Sequence, residues 1–138
     1  MMRLSFDFPA NTAVLGKIGE LAADAGREAG FSDIEIGDIQ LAIDEACTNT
    51  IIHGLKKDPE RIFRLVLQWK SGNIEILIHE SGEPFDPDKV RKPDTDACLE
   101  NRPIGGLGIY FVRKIMDEVE YRVDADGVKT LRMVKRKK

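Results

Sequence analysis

Three polar residues recur at four-residue spacing in the stretch DEACTNTIIHG: Glu45, Asn49 and His53. On an α-helix that spacing stacks them along one face. A carboxylate and a carboxamide one turn apart can orient a water and hold a hard cation such as Mg2+, which prefers oxygen ligands. Asn is also a poor helix former, because its side chain competes for the backbone, so Asn49 asks for a reason. The plain alternative is a solvated helix face, which is what a lone Glu on a helix usually marks.

Two other stretches carry chemistry. In IHESGEPFDP a strand ends at Glu80 and is followed by Gly82. A carboxylate there can accept a hydrogen bond from an exocyclic amine, and the glycine lets a flat ring approach the backbone. The alternative is a charged strand end and a turn. In RPIGGLGIYFVRKIMD, Gly105, Gly106 and Gly108 lead into a helix. Free amides at a helix start, aided by the dipole, suit an anion such as a phosphate. Glycines before helices are common, so this motif alone is weak evidence. It is not a Walker A loop, since no Gly-Lys-Ser/Thr follows. A loop rather than a strand precedes it, which also sets it apart from a dinucleotide-binding fingerprint.

The elements that must position these residues are legible in the patterning. RLSFDF alternates Leu4, Phe6 and Phe8 with polar residues, as an edge strand ending at Pro9 does. A helix is expected from Thr12 to Ala29, with Leu15, Ile18, Ala22, Ala25 and Ala29 as its apolar stripe and Gly30 as its stop. Ser32 and Glu35 form an S-x-x-E capping box for a second helix. That helix should run to Gly54. Its core side holds Ile36, Ile39, Ile43, Ala46, Cys47 and Thr50; Asp38, Glu45 and Asn49 lie opposite, with His53 toward the edge of the polar face. IFRLVLQW and NIEILIH are strands joined by the turn KSGN. A long loop follows, from about Glu80 to Leu107, of a length that usually serves function. LGIYFVRKIMD is a short helix facing inward through Ile109, Val112 and Ile115 or Met116. EVEYRVD and VKTLRMVK close the chain as a hairpin around ADG. This order predicts an α/β (α+β) two-layer sandwich with helices on one face of a mixed, mostly antiparallel sheet.

Composition narrows the setting. The 138 residues suit a single domain with a real core, and the net charge of -3 argues against nucleic-acid binding by bulk electrostatics. Lys135, Arg136, Lys137 and Lys138 read as a short solvated basic tail. No apolar run spans a bilayer, and the N-terminal residues lack the apolar core of a signal peptide, so the expected location is cytoplasmic. Cys47 and Cys98 are then free thiols, and two Cys with two His at no ligand-like spacing give no zinc signal.

Taken together and in this order, EACTNTIIHG, ESGEPFDP and GGLGIYFVRKIMDEVEY resemble the N, G1 and G2 boxes of the GHKL (Bergerat-fold) ATPases. The branch they are most similar to is that of the anti-sigma-factor serine kinases of bacterial partner switching. The likeness runs from about Thr12 to Val134. It implies a Bergerat-type sandwich that binds ATP and Mg2+ under a lid, here residues 88–104. It implies Glu45 as general base, Asn49 as the Mg2+ ligand, and Gly105, Gly106 and Gly108 as the phosphate cradle. His53 falls on the usual His of N-x-x-x-H, in phosphate contact or in a structural hydrogen bond near the lid. Gly82 falls behind the adenine, and Thr130 on the late-strand threonine near it, although GVKT is spaced less tightly than the usual Gly-Thr. The implied partners are a small STAS-type antagonist, phosphorylated on serine, a sigma factor and a second copy of the chain; nucleic acid and membrane are not expected.

One position departs from the pattern. The G1 box begins with Asp, which pairs with the adenine amino group, and here Glu80 stands in its place. The added methylene moves the carboxylate by about one C–C bond, and a misplaced polar partner costs about 1–3 kcal/mol. A rival reading therefore stands beside the kinase: a nucleotide-binding regulator that sequesters a partner without efficient turnover. A two-component histidine kinase is not expected, since no phosphoacceptor helix pair precedes the N box.

Overall fold

A computed structural model of the chain describes residues 1–80 and 106–137, with the main chain alone described for 106–109. Gly82, Gly105, Cys98 and the expected lid at 88–104 lie outside the described residues.

Strand β1 (Met2–Pro9) opens the chain, and helices α1 (Leu15–Glu28) and α2 (Asp33–Asn49) follow. The hairpin of β2 (Ile62–Lys70) and β3 (Asn73–Glu80) comes next. After the undescribed stretch come α3 (Gly106–Ile115), β4 (Glu118–Val123) and β5 (Lys129–Arg136). The strands form one sheet in the order β1-β2-β3-β5-β4. All four of its pairings are antiparallel, so the described sheet contains no parallel pair. The expectation of a mixed sheet has a physical source. β3 and β4 do run the same way across the helical connection, but β5 inserts between them and is antiparallel to both.

The period-two pattern of the strands sorts their side chains by face. Phe63, Leu65, Leu67, Ile74, Ile76, Ile78, Leu131 and Met133 turn toward the helices and are buried. Ile18, Ile39, Ile43 and Ile51 meet them from the helix layer. The opposite sheet face is a polar lattice. Arg64 pairs with Asp7, and Arg132 bridges Glu75 and Glu118. This division leaves one wet and one dry face, as expected of an antiparallel sheet covered on one side.

Local chemistry sets the helix ends. The capping box forms as expected: Glu35 N donates to Ser32 Oγ at 3.2 Å, and Ser32 N donates to Glu35 Oε1 at 3.0 Å. Gly30 takes φ +89° and stops α1, with Phe31 N donating to Gly26 O at 3.0 Å. The first helix starts later than expected, since Thr12–Val14 is a 3-10 turn capped by Asn11.

Two expectations need correction. Helical structure does reach Gly54, but Thr50–Gly54 is a π-type turn in which Leu55 N donates to Thr50 O at 2.8 Å. Gly54 is not the left-handed stop; Lys56 and Lys57 take φ 57° and 58° instead. Lys135 of the C-terminal basic cluster is not solvated either, while Arg136 and Lys137 are exposed. Lys135 and Arg136 belong to β5, and the alternation that points Leu131 and Met133 inward carries Lys135 with them. Its Nζ donates to Ile115 O at 2.8 Å and lies 3.8 Å from Asp38 Oδ2. It thus caps the last turn of α3, where a cation meets unsatisfied carbonyls and the negative end of the dipole.

Candidate nucleotide site

The site forms where α2 crosses the ends of β3 and β5. Asn49 is 4% exposed, so it belongs to the buried side of α2 rather than opposite the core side, where it was expected. The buried arc of α2 is wide: besides Ile36, Ile39, Ile43, Ala46 and Cys47 it takes in Ala42 and Asn49. Burial of a carboxamide requires hydrogen-bond partners. Asn49 Nδ2 donates to Glu45 O, one turn back, at 2.9 Å. That bond fixes the amide and turns Oδ1 away from its own helix.

Glu45 is half-buried, and its carboxyl titrates above the ordinary 4.5. Burial is the larger cause, and the negative charge of Asp44 adds to it. Both disfavour the ionised form, which makes the carboxylate a stronger base. His53 lies within the π-type turn, which carries five residues per hydrogen-bonded ring. His53 is thus half-buried on the turn that follows α2, while Glu45 and Asn49 lie on α2 itself.

Asn49, Ala46 and Thr50 of the helix line a small cavity with Ile78, Glu80, Tyr121, Lys129 and Leu131 of the sheet. Its enclosed volume is about 20 Å3, room for one water. Glu80 ends β3 at 7% exposure, and Lys129 stands directly opposite it on β5 at 5% exposure. The structure therefore brings Glu80 and Asn49 to one cavity, with Glu45 one turn away.

Thr130 does not join them. It follows Lys129 by one residue and so points to the other face of the sheet, where its Oγ1 is 2.7 Å from His79 Nδ1. The late-strand position beside the cavity belongs to Lys129. A signal for this was present in VKTLRMVK, where Lys129 is in phase with the buried Leu131 and Met133.

The glycine motif is placed in part. α3 begins at Gly106, so Gly106 and Gly108 lie inside its first turn rather than ahead of it. The first amides of a helix have no partner within it. For a cation, the described residues hold no group of three or more His, Cys, Asp or Glu able to enclose a metal. Asn49 Oδ1 with oxygens of a bound phosphate and water is a donor set that suits Mg2+, which keeps several waters.

The described residues thus form a two-layer sandwich with a carboxylate at the end of a central strand and a fixed amide on the facing helix. The chain belongs to the histidine kinase-like ATPase domain family, which it matches over residues 8–135. It is 29% identical over 126 residues to the serine-protein kinase RsbW of Bacillus cereus, covering 88% of this chain and 78% of that protein. RsbW of Bacillus anthracis matches at the same identity and coverage. Two solved structures share the fold. One holds the RsbU and RsbW domains of a Mycobacterium tuberculosis protein, with TM-score 0.67 at 17% identity, covering 99% of this chain and 32% of that longer one. The other is the SiaB-SiaC complex of Pseudomonas aeruginosa, with TM-score 0.65 at 17% identity, covering 95% of this chain and 88% of that one. No described helix is long and apolar enough to cross a membrane.

Proposed function

We propose that this chain is an ATP- and Mg2+-dependent serine-protein kinase and anti-sigma factor. It phosphorylates a serine of a small STAS-type antagonist in the cytoplasm and holds a sigma factor while that antagonist is phosphorylated. The observation that carries the reading is the pairing on α2: Asn49 fixed by Glu45 O at 2.9 Å, beside a carboxylate of raised proton affinity. The kinase names of the relatives at 29% identity support it.

In this reading Glu80 accepts from the base amine, and the free amides that open α3 face the phosphates. Asn49 Oδ1 faces the cation, which when bound neutralises phosphate charge. Glu45 takes the proton of the attacking serine hydroxyl. The serine Oγ–phosphorus bond forms as the bond from the γ-phosphorus to the bridging oxygen breaks, and ADP leaves. The working unit is a homodimer, for which the edge strand β1 offers half-exposed Met2 and Leu4.

A second reading keeps nucleotide or partner binding without efficient transfer. Glu80 in place of the Asp that opens the G1 box favours it. Calorimetric titration with ATP and GTP, each with and without Mg2+, tests the first reading. Mg2+-dependent ATP binding is expected; binding of neither nucleotide would remove the kinase.

A further inference from the structure

A Cβ built on Gly54 would lie 2.5 Å from Glu80 Oε2, 2.6 Å from Oε1 and 2.8 Å from Cδ. No side chain larger than hydrogen fits there while Glu80 keeps its place. Gly54 also has no left-handed φ to account for it, in contrast to Gly30, Gly72 and Gly127. The glycine therefore answers to space rather than to backbone conformation. Three facts meet at this point: Glu80 is buried, its carboxylate occupies the volume of the absent Cβ, and its extra methylene is the feature that sets it apart from an Asp.

We infer that Gly54 is a positioning residue for Glu80. An Asp at position 80 would end about 1.5 Å short of this carboxylate, one C–C bond. The glutamate reaches further, and its carboxylate lies against Gly54 of the π-type turn Thr50–Gly54, in the gap left by the missing Cβ. That contact fixes where the carboxylate stands on the lining of the cavity. An alanine at 54 would push it off this position, at the cavity it lines together with Asn49, Thr50 and Lys129. The atoms displaced are the far end of a flexible side chain, so the fold survives and the site does not. Gly54 and Glu80 are a matched pair that sets where the base edge is read. This inference rests on the nucleotide reading above.

The test is a double-mutant cycle on the full chain, with Gly54→Ala, Glu80→Asp and the pair together. The probe is Mg-ATP by calorimetry, beside thermal melting and a crystal structure of Gly54→Ala. Gly54→Ala should bind ATP at least about tenfold more weakly with its melting temperature nearly unchanged. Glu80→Asp should restore binding in the Gly54→Ala background, because the shorter carboxylate clears the new methyl. Unchanged binding by Gly54→Ala, or a double variant as weak as Gly54→Ala, would overturn the coupling. The crystal structure separates this from failure of the functional reading. A carboxylate moved off an unmoved Thr50–Gly54 turn supports the coupling; a displaced turn with the carboxylate in place overturns it. If the parent chain binds no nucleotide, the base-reading role falls whatever the crystal structure shows.

Discussion

The side-chain amide of Asn49 donates to the main-chain carbonyl of Glu45 at 2.9 Å, so the two residues on which the proposed chemistry rests are tied by one hydrogen bond. The bond spends the amide NH2 on the helix and leaves the carbonyl oxygen as the outward group. Asn49→Ala should therefore remove the difference between ATP affinity with and without Mg2+, while Mg2+-free affinity changes little. Calorimetry in the two conditions reads this directly. A retained Mg2+ effect would remove the metal role.

Glu45 supplies a pH prediction. Its folded-state proton affinity is raised by burial and then by Asp44. The folded form thus holds this proton more tightly than the unfolded chain does. The associated stability is present at acid pH and is lost as pH rises through the raised value. At neutral pH the ionised group costs stability, so Glu45→Gln should melt at the same or a higher temperature there, with the advantage disappearing in acid. Phosphotransfer should move the opposite way. It should rise with pH through a midpoint above 4.5 in the parent chain. It should fall by about 10²–10⁴-fold in Glu45→Gln, with ATP affinity retained. A variant that loses stability and keeps transfer would contradict both halves.

Thr130 and Lys129 make a neighbouring pair with opposite expectations. Thr130 bonds His79 at 2.7 Å on the far sheet face, so Thr130→Val should leave ATP affinity within about twofold and cost about 0.5–1.5 kcal/mol of stability. Lys129 is buried, lines the cavity and stands opposite Glu80 in the β3-β5 register. Lys129→Met should weaken ATP binding by about tenfold. Nucleotide titration of both variants decides which strand position faces the base.

Cys47 is fully buried on α2, and burial pushes its thiol well above the ordinary range, with Asp44 adding to the shift. The thiolate is the reactive species, so native Cys47 should be inert. In a Cys98→Ser background, thiol labelling should proceed only at the rate of unfolding. Fast labelling under native conditions would show that α2 opens locally.

Much of this was legible in the sequence, for identifiable reasons. The Ser32–Glu35 capping box, the β2-β3 hairpin and the two-layer arrangement follow from local rules, and each formed. Asn49 stands out in the sequence because an Asn inside a helix is costly, and it is buried beside Glu80. Its surroundings are less legible. Helix periodicity puts Asn49 opposite the core side, because one helix period cannot show how wide the buried arc of α2 is. Thr130 is singled out by the resemblance alone, whereas strand phase puts its neighbour Lys129 on the cavity side. The basic residues at the chain's end looked solvated by charge alone, yet the β5 register buries Lys135 onto the α3 carboxyl end. Gly54 was read as a helix stop, whereas its reason lies 26 positions away in the sequence, at Glu80.

The central claim is phosphotransfer to serine. Its most direct measurement is incubation of the full chain with γ-labelled Mg-ATP and small STAS-domain proteins from the same genome, with Glu45→Gln as control. The account predicts label on a serine of one such protein, dependent on Mg2+ and lost in Glu45→Gln. A stable complex with a STAS-domain protein and ATP, formed without phosphoserine, would contradict it.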